Sequence, residues 1–164
     1  MRILGVDPGL RACGYGAIEK NASSLTLIEA GIVTTNSTQN ISERLNEIYT
    51  SFLELIKEIK PEVLVLEKIY AHWRHPATAF LLGQARGVIC LLCAQNNIIL
   101  REYLPTRIKK AIVGRGHAGK LQVKKMIEGL LKIKNTAYAF DVSDALALAV
   151  AYAQINKSLI RPEA

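Results

Sequence analysis

Cysteine is sparse in this chain, long apolar runs are missing, and outside one short stretch there is no surplus of either charge. The three cysteines, Cys13, Cys90 and Cys93, are an odd number. That argues against a disulfide framework and suits a reducing compartment. Cys90-Leu91-Leu92-Cys93 has a zinc-like spacing, but it lies within an apolar helical pattern and lacks a second ligand pair. No run of apolar residues approaches the roughly 20 needed to cross a bilayer, so no membrane association is expected. The opening Met1-Arg2-Ile3-Leu4-Gly5-Val6-Asp7 places an acid early and offers no small-residue cleavage site after an apolar stretch. No secretory leader is therefore expected, and a cytoplasmic location is. No repeat or composition shift divides the 164 residues, half of which are hydrophobic. A single domain over residues 1–158 is expected, with a short disordered tail at 159–164.

The net charge of +7 is local. Between Arg101 and Lys125 stand Arg101, Arg107, Lys109, Lys110, Arg115, Lys120, Lys124 and Lys125 against one acid, Glu102. The rest of the chain balances. A concentrated patch of this kind is the footprint of a polyanion-binding surface, although a solvated lysine-rich face gives the same run.

Periodicity gives the element order. Arg2 to Asp7 reads as a buried strand turned by Pro8-Gly9, and Cys13 to Lys20 and Ser24 to Thr35 read as two more, forming an antiparallel meander. Ser42 to Lys60 carries apolar residues at helical spacing, with Ser42 as its cap and Pro61 as its stop. Val63-Leu64-Val65-Leu66 is continuous and apolar, as in a strand covered on both faces, and ends at Glu67. A long apolar helix over Pro76 to Asn96 follows, then a strand at Ile98 to Tyr103. Helices are expected near Thr106 to Val113, Lys120 to Lys132 and Val142 to Lys157. The resulting fold class is α/β, a mixed sheet with helices on its faces.

Four acids stand out against this framework. Asp7 and Glu67 each end a strongly apolar strand, at the carboxyl edge where active sites of open α/β sheets gather. An ionised carboxylate after Val-Leu-Val-Leu is costly unless a cation or a hydrogen-bond network meets it. Asp141 and Asp144 lie three apart at the start of an apolar helix and share a face of its first turn. Singly, each has a plainer reading: Asp7 as a turn former, Asp141 as an N-cap, Asp144 as a first-turn acid favoured by the helix dipole. Jointly they suggest a carboxylate cluster, and oxygen-only ligands select hard ions such as Mg2+ or Mn2+. Two such ions can activate water and stabilise the leaving oxygen of a phosphodiester. Beside a basic patch, that chemistry points to hydrolysis of a nucleic acid.

Several segments occur together in the order found in one family. Gly5-Val6-Asp7-Pro8-Gly9 with Gly14-Tyr15-Gly16, the strand ending at Glu67, Leu82-Gly83-Gln84-Ala85-Arg86-Gly87, and Asp141-Val142-Ser143-Asp144-Ala145-Leu146-Ala147 resemble the RuvC family of crossover (Holliday) junction endodeoxyribonucleases. The resemblance runs from about residue 2 to 155. It implies a ribonuclease H-like fold with a five-stranded mixed sheet. It also implies Asp7, Glu67, Asp141 and Asp144 as catalytic metal ligands, with two Mg2+ or Mn2+ ions per site. The implied substrate is four-way junction DNA, nicked symmetrically by a homodimer to leave 5′-phosphate and 3′-hydroxyl ends. The RuvA–RuvB branch-migration complex is the implied partner.

Lys109 and Lys120 fall where the family places basic residues near the catalytic centre, and a lysine there can neutralise charge on a transferring phosphate. Plain backbone-phosphate contact is the alternative for both, and Arg107, Lys110, Arg115, Lys124 and Lys125 are expected to bind DNA in that way. Tyr70 occupies the position of a family aromatic resembling a DNA-stacking wedge, with a half-buried core tyrosine as the alternative. His72-Trp73-Arg74-His75 departs from the commoner family pattern and reads as a mobile loop. Gly83 and Gly87 allow another element to approach closely, either inside the monomer or across a dimer seam, which the resemblance favours. Two other readings remain for the chain: one lobe of a phosphate-binding ATPase or sugar kinase, and a non-catalytic nucleic-acid-binding relative.

Overall fold

In the computed structural model, which describes residues 1–22, 24–68, 76–133 and 139–156, the central strands are apolar on both sides because helices cover both sides. The elements are β1 (Arg2–Asp7), β2 (Ala12–Lys20), β3 (Leu25–Thr34), α1 (Ile41–Ile59), β4 (Val63–Glu67), α2 (Pro76–Gln95), β5 (Ile99–Tyr103), α3 (Pro105–Val113), α4 (Lys120–Leu130) and α5 (Phe140–Ile155). The sheet order is β3-β2-β1-β4-β5. Strands β1, β2 and β3 form the antiparallel meander expected from their short turns. Strands β4 and β5 join parallel to β1 through helical crossovers. This is the mixed five-stranded α/β sheet read from the sequence.

Alternation along the strands sorts side chains between two cores. Leu4, Val6, Leu64 and Leu66 pack with Ile48 and Phe52 of α1 and Ile89 and Leu92 of α2. Ile3, Val63 and Val65 pack on the other face with Leu146 and Val150 of α5, Ile108 of α3 and Ile127 of α4. Helix α5 is buried nearly all round, from Val142 to Ala153, because the sheet lies on one side of it and α3 and α4 on the other. The same alternation puts Asp7, two residues after Gly5, and Glu67, two after Val65, on the face that carries α5.

Element bounds differ from those expected by one or two residues, and two differences have clear causes. Asn40, not Ser42, caps α1: its side chain accepts from the Glu43 backbone N–H while the Glu43 carboxylate accepts from the Asn40 N–H. This reciprocal capping box satisfies two donors, whereas Ser42 Oγ only donates to Asn40 Oδ1. Helix α5 begins at Phe140, so Asp141 sits inside its first turn and does not serve as the cap. At the other end of α5, the buried Lys20 of β2 donates through Nζ to the carbonyls of Ala153 (2.8 Å) and Asn156 (3.1 Å). A cation there meets the negative end of the helix dipole.

Helix α2 is different. Phe80, Leu81 and Leu91 are exposed at 69%, 42% and 52%. Among the described residues, a Cβ added to Gly83 or Gly87 would meet nothing within 4 Å, so these glycines serve no packing against them. Cys90 and Cys93 are free thiols on this helix, and burial pushes the Cys93 thiol up to about 12. Among the described residues no helix is long and apolar enough to cross a membrane.

Candidate active site

Three glycines bring the start of α5 onto the sheet. Gly5 pairs with Gly16 and Asp7 with Gly14 across β1 and β2. A Cβ on Gly5 would stand 2.0 Å from the Ala145 carbonyl oxygen, one on Gly14 would stand 2.3 Å from the Asp141 oxygen, and one on Gly16 would meet the Leu146 side chain at 2.5 Å. No other residue type fits a helix backbone this close to a strand. The helix therefore lies almost in contact with the strand backbone, and its first turn arrives beside the carboxyl end of β1. The turn after Asp7 is tied down as well: Cys13 Sγ donates to the Gly9 carbonyl at 2.7 Å. The sequence singles out these glycines only through family resemblance. Their physical signature is the cross-strand pairing of Gly5 with Gly16, which is visible once the β1–β2 register is known.

A cleft of ≈ 250 Å³ opens at this edge, lined by Asp7, Glu67, Pro105, Ile108, Lys109, Lys120, Val123, Asp144, Ala147 and Leu148. Three of the four expected acids and both expected lysines thus converge, from β1, β4, α3, α4 and α5. Asp141 does not line the cleft, but its charge reaches Asp7. The Asp7 carboxyl is pushed from 3.8 up to about 6, first by burial, then by the negative charges of Asp144, Glu67 and Asp141, with Lys120 opposing. Glu67 is exposed at the rim, yet partial desolvation and then Asp144 still raise its carboxyl above the ordinary range, while Lys120 and Lys109 oppose. Lys120 donates to Asp144 Oδ2 at 2.8 Å, and this bond holds the ammonium above its usual pKa.

The site is thus short of positive charge. Among the described residues no three acidic, histidine or cysteine side chains close into a ready metal cage. The donor set is nonetheless all carboxylate oxygen, and the mutual repulsion felt by Asp7 is of the kind a divalent cation relieves. Hard oxygen ligands at a half-open cleft fit Mg2+ or Mn2+ and do not fit zinc. A larger hollow of ≈ 710 Å³ lies at the opposite end of β2, around Lys20, Leu131 and Ala153, and has no acid in its lining.

The remaining expected residues spread outward from the cleft. Arg107 stands over the Tyr103 ring, 5.1 Å from its centroid, and is not part of the cleft lining. Lys110 on α3, Arg115 in the loop between α3 and α4, and Lys125 on α4 are exposed, and Lys124 stands over the Phe140 ring. Tyr70 and the His72-Trp73-Arg74-His75 segment lie outside the described residues, as do residues 157–164. One residue quoted only within a motif has a visible structural task. Arg86 of α2 donates to the Glu67 backbone carbonyl at 2.8 Å and pairs with Glu102, which fixes the end of β4.

The crossover junction endodeoxyribonuclease RuvC family model matches residues 3–152 of the chain. The chain is 39% identical over 164 residues to the RuvC crossover junction endodeoxyribonuclease of Caldicellulosiruptor saccharolyticus, covering 99% of this chain and 98% of that protein. It is equally similar, at 39% identity and 98% coverage of both, to the enzyme of Geobacter sulfurreducens. Thermus thermophilus RuvC in complex with a Holliday junction substrate superposes with a TM-score of 0.88, at 28% identity, over 96% of this chain and 97% of that one. The yeast mitochondrial Holliday junction resolvase shares the fold at 13% identity, with a TM-score of 0.68 over 93% of this chain and 77% of that one. The ribonuclease H-like architecture expected from the motif order is therefore present, and the chain belongs to the RuvC family of crossover junction endodeoxyribonucleases.

Proposed function

We infer that this protein resolves four-way DNA junctions by hydrolysing a phosphodiester in each of two strands, leaving 5′-phosphate and 3′-hydroxyl ends. It would act in recombination and repair in the cytoplasm. The observation that carries this reading is the convergence of Asp7, Glu67 and Asp144 with Lys109 and Lys120 in one cleft, beside a basic surface.

Asp7, Glu67, Asp144 and the neighbouring Asp141 are the residues that would hold divalent metal, two Mg2+ or Mn2+ ions in this reading. The bound metal supplies an activated water and charge stabilisation at the scissile phosphate. Lys109 of α3 and Lys120 of α4 would place positive charge where the phosphoryl oxygens gain negative charge. Lys120 also compensates Asp144 before substrate arrives. Arg107, Lys110, Arg115, Lys124 and Lys125 would hold flanking phosphates, and Tyr70 would contact bases. The exposed apolar face of α2, with Gly83 and Gly87 open to close approach, supports a homodimer seam. A two-fold axis there would pair two clefts of opposite polarity. The RuvA–RuvB complex would deliver the junction.

The test is incubation with a four-way junction, a linear duplex and an RNA–DNA hybrid, with and without Mg2+, for the wild type and Asp144→Asn. Paired nicks in the junction alone, dependent on Mg2+ and abolished in the variant with binding retained, are expected. Near-wild-type nicking by the variant would overturn the site assignment.

A further inference from the structure

Phe140 is out of place by the logic of folding. It is the first residue of α5, of which every position from Val142 to Ala153 except Asp144 is buried, yet it is 52% exposed. It serves no core. The Lys124 ammonium lies 5.4 Å from its ring centroid, within the range of a cation–π contact. Leu121, one turn before Lys124 on α4, is also exposed, at 59%. An aromatic ring and an aliphatic side chain therefore face solvent between Lys120, Lys124 and Lys125, with no acid on α4 before Glu128.

The position matters as much as the chemistry. Phe140 immediately precedes Asp141, whose charge acts on Asp7, and Lys120 at the head of α4 bonds Asp144. Phe140 also lies four residues before Asp144 on α5, so the two share a helix face, although the ring itself is not part of the cleft lining. A ligand for this patch must offer a flat apolar group together with closely spaced negative charges. A nucleotide has both: the base stacks on the ring and the phosphates meet the lysines, as in single-strand grooves. Bases inside a duplex are stacked on both faces and offer nothing to a ring. The strand engaged here must therefore be locally unstacked, as strands are at the exchange point of a four-way junction.

We propose that Phe140, backed by Lys124, is a stacking platform for one unstacked nucleobase lying one or two nucleotides from the scissile phosphate. This rests on the resolvase reading above and adds a base-contacting subsite to it. The subsite would make cleavage efficiency depend on which base stacks there, purines more strongly than pyrimidines.

The test uses the full-length protein without metal, so that binding is read apart from cleavage. Junctions carrying a single abasic nucleotide at each position around the cut phosphate are bound by the wild type, Phe140→Ala and Phe140→Trp. Phe140→Ala should bind the intact junction roughly ten-fold more weakly, within the range found for removing one base–aromatic stack, and Phe140→Trp should restore binding. At one abasic position the wild type should lose the same factor, and Phe140→Ala should lose nothing further there. Losses that simply multiply at every position, or an unchanged Kd for Phe140→Ala, would overturn the subsite while leaving the resolvase reading intact. If the wild type does not prefer the junction to a linear duplex, the resolvase reading fails first. Circular dichroism identical across the three proteins is expected from the exposure of the ring, and wild-type binding by Phe140→Trp excludes a folding defect as the cause of the loss in Phe140→Ala.

Discussion

Replacing Asp7 with asparagine should stabilise the metal-free protein at neutral pH. The Asp7 carboxyl is raised from 3.8 to about 6 on folding, by burial and by three neighbouring carboxylates. A rise of that size corresponds to about 3 kcal/mol against the ionised form. Because the folded pKa lies above the unfolded one, the folded state binds the proton more tightly. The destabilisation is fully present above about pH 6, shrinks as the pH falls, and is gone below about 3.8. Asparagine removes the charge at nearly constant volume, but it keeps a polar group to desolvate. The expected gain is therefore about 1–3 kcal/mol at pH 7.5, or about 2–4 °C in Tm per kcal/mol for a chain of this length. Urea denaturation of both proteins in a chelator, at pH 7.5 and at pH 4, measures it. The difference should be clear at pH 7.5 and nearly absent at pH 4. Adding Mg2+ should then stabilise the wild type more than the variant, through binding to the native state. A variant no more stable than the wild type at pH 7.5, or a gap that persists unchanged to pH 4, would refute the reasoning.

Three further expectations follow from other parts of the molecule. Junction binding should weaken steeply with salt, by about −0.9 in log–log slope for each phosphate neutralised on duplex DNA, and Lys124→Glu with Lys125→Glu should flatten that slope in a titration from low to high salt. Gly5→Ala should cost about 3 kcal/mol or more in urea denaturation, because its new Cβ would stand 2.0 Å from the Ala145 oxygen and 2.9 Å from the Ala149 nitrogen, both backbone atoms. Gly87→Leu should leave monomer stability nearly unchanged, since the added side chain enters open space, but should convert a dimer to a monomer in sedimentation and reduce paired nicking.

The parts of this molecule legible in the sequence are those governed by short-range periodicity. Strands ending in Asp7 and Glu67, the acids three apart at the head of an apolar helix, and the meander before the first helix all follow from alternation and punctuation. What was not legible depends on pairs remote in sequence. Lys120 and Asp144 stand 24 residues apart, and no local pattern says that one ammonium will compensate one carboxylate. Arg86 reaches Glu67 and Glu102 only because α2 crosses beside β4 and β5. Phe140 falls just outside the helix expected from Val142, and nothing in the local pattern says that its ring will be exposed. Even the cap of α1 is present locally, as Asn40 with Glu43 three residues on, although Ser42 lies nearer the apolar pattern.

Helix α5 is held at both ends by lysines from different parts of the chain. Lys20 grips the carbonyls of Ala153 and Asn156, and Lys120 grips Asp144 in the first turn. Between these points the helix backbone rests on glycine, with no side chain at Gly5 or Gly14 to compress or rotate. An ordinary helix–sheet contact can slide by a fraction of a turn as its intervening side chains change rotamer. This one cannot, because a slide of one residue, about 1.5 Å, would break both grips and drive carbonyl oxygen into strand backbone. The spacing between Asp7 and Asp144 is therefore set by main-chain geometry, so the core can vary elsewhere without detuning the acids.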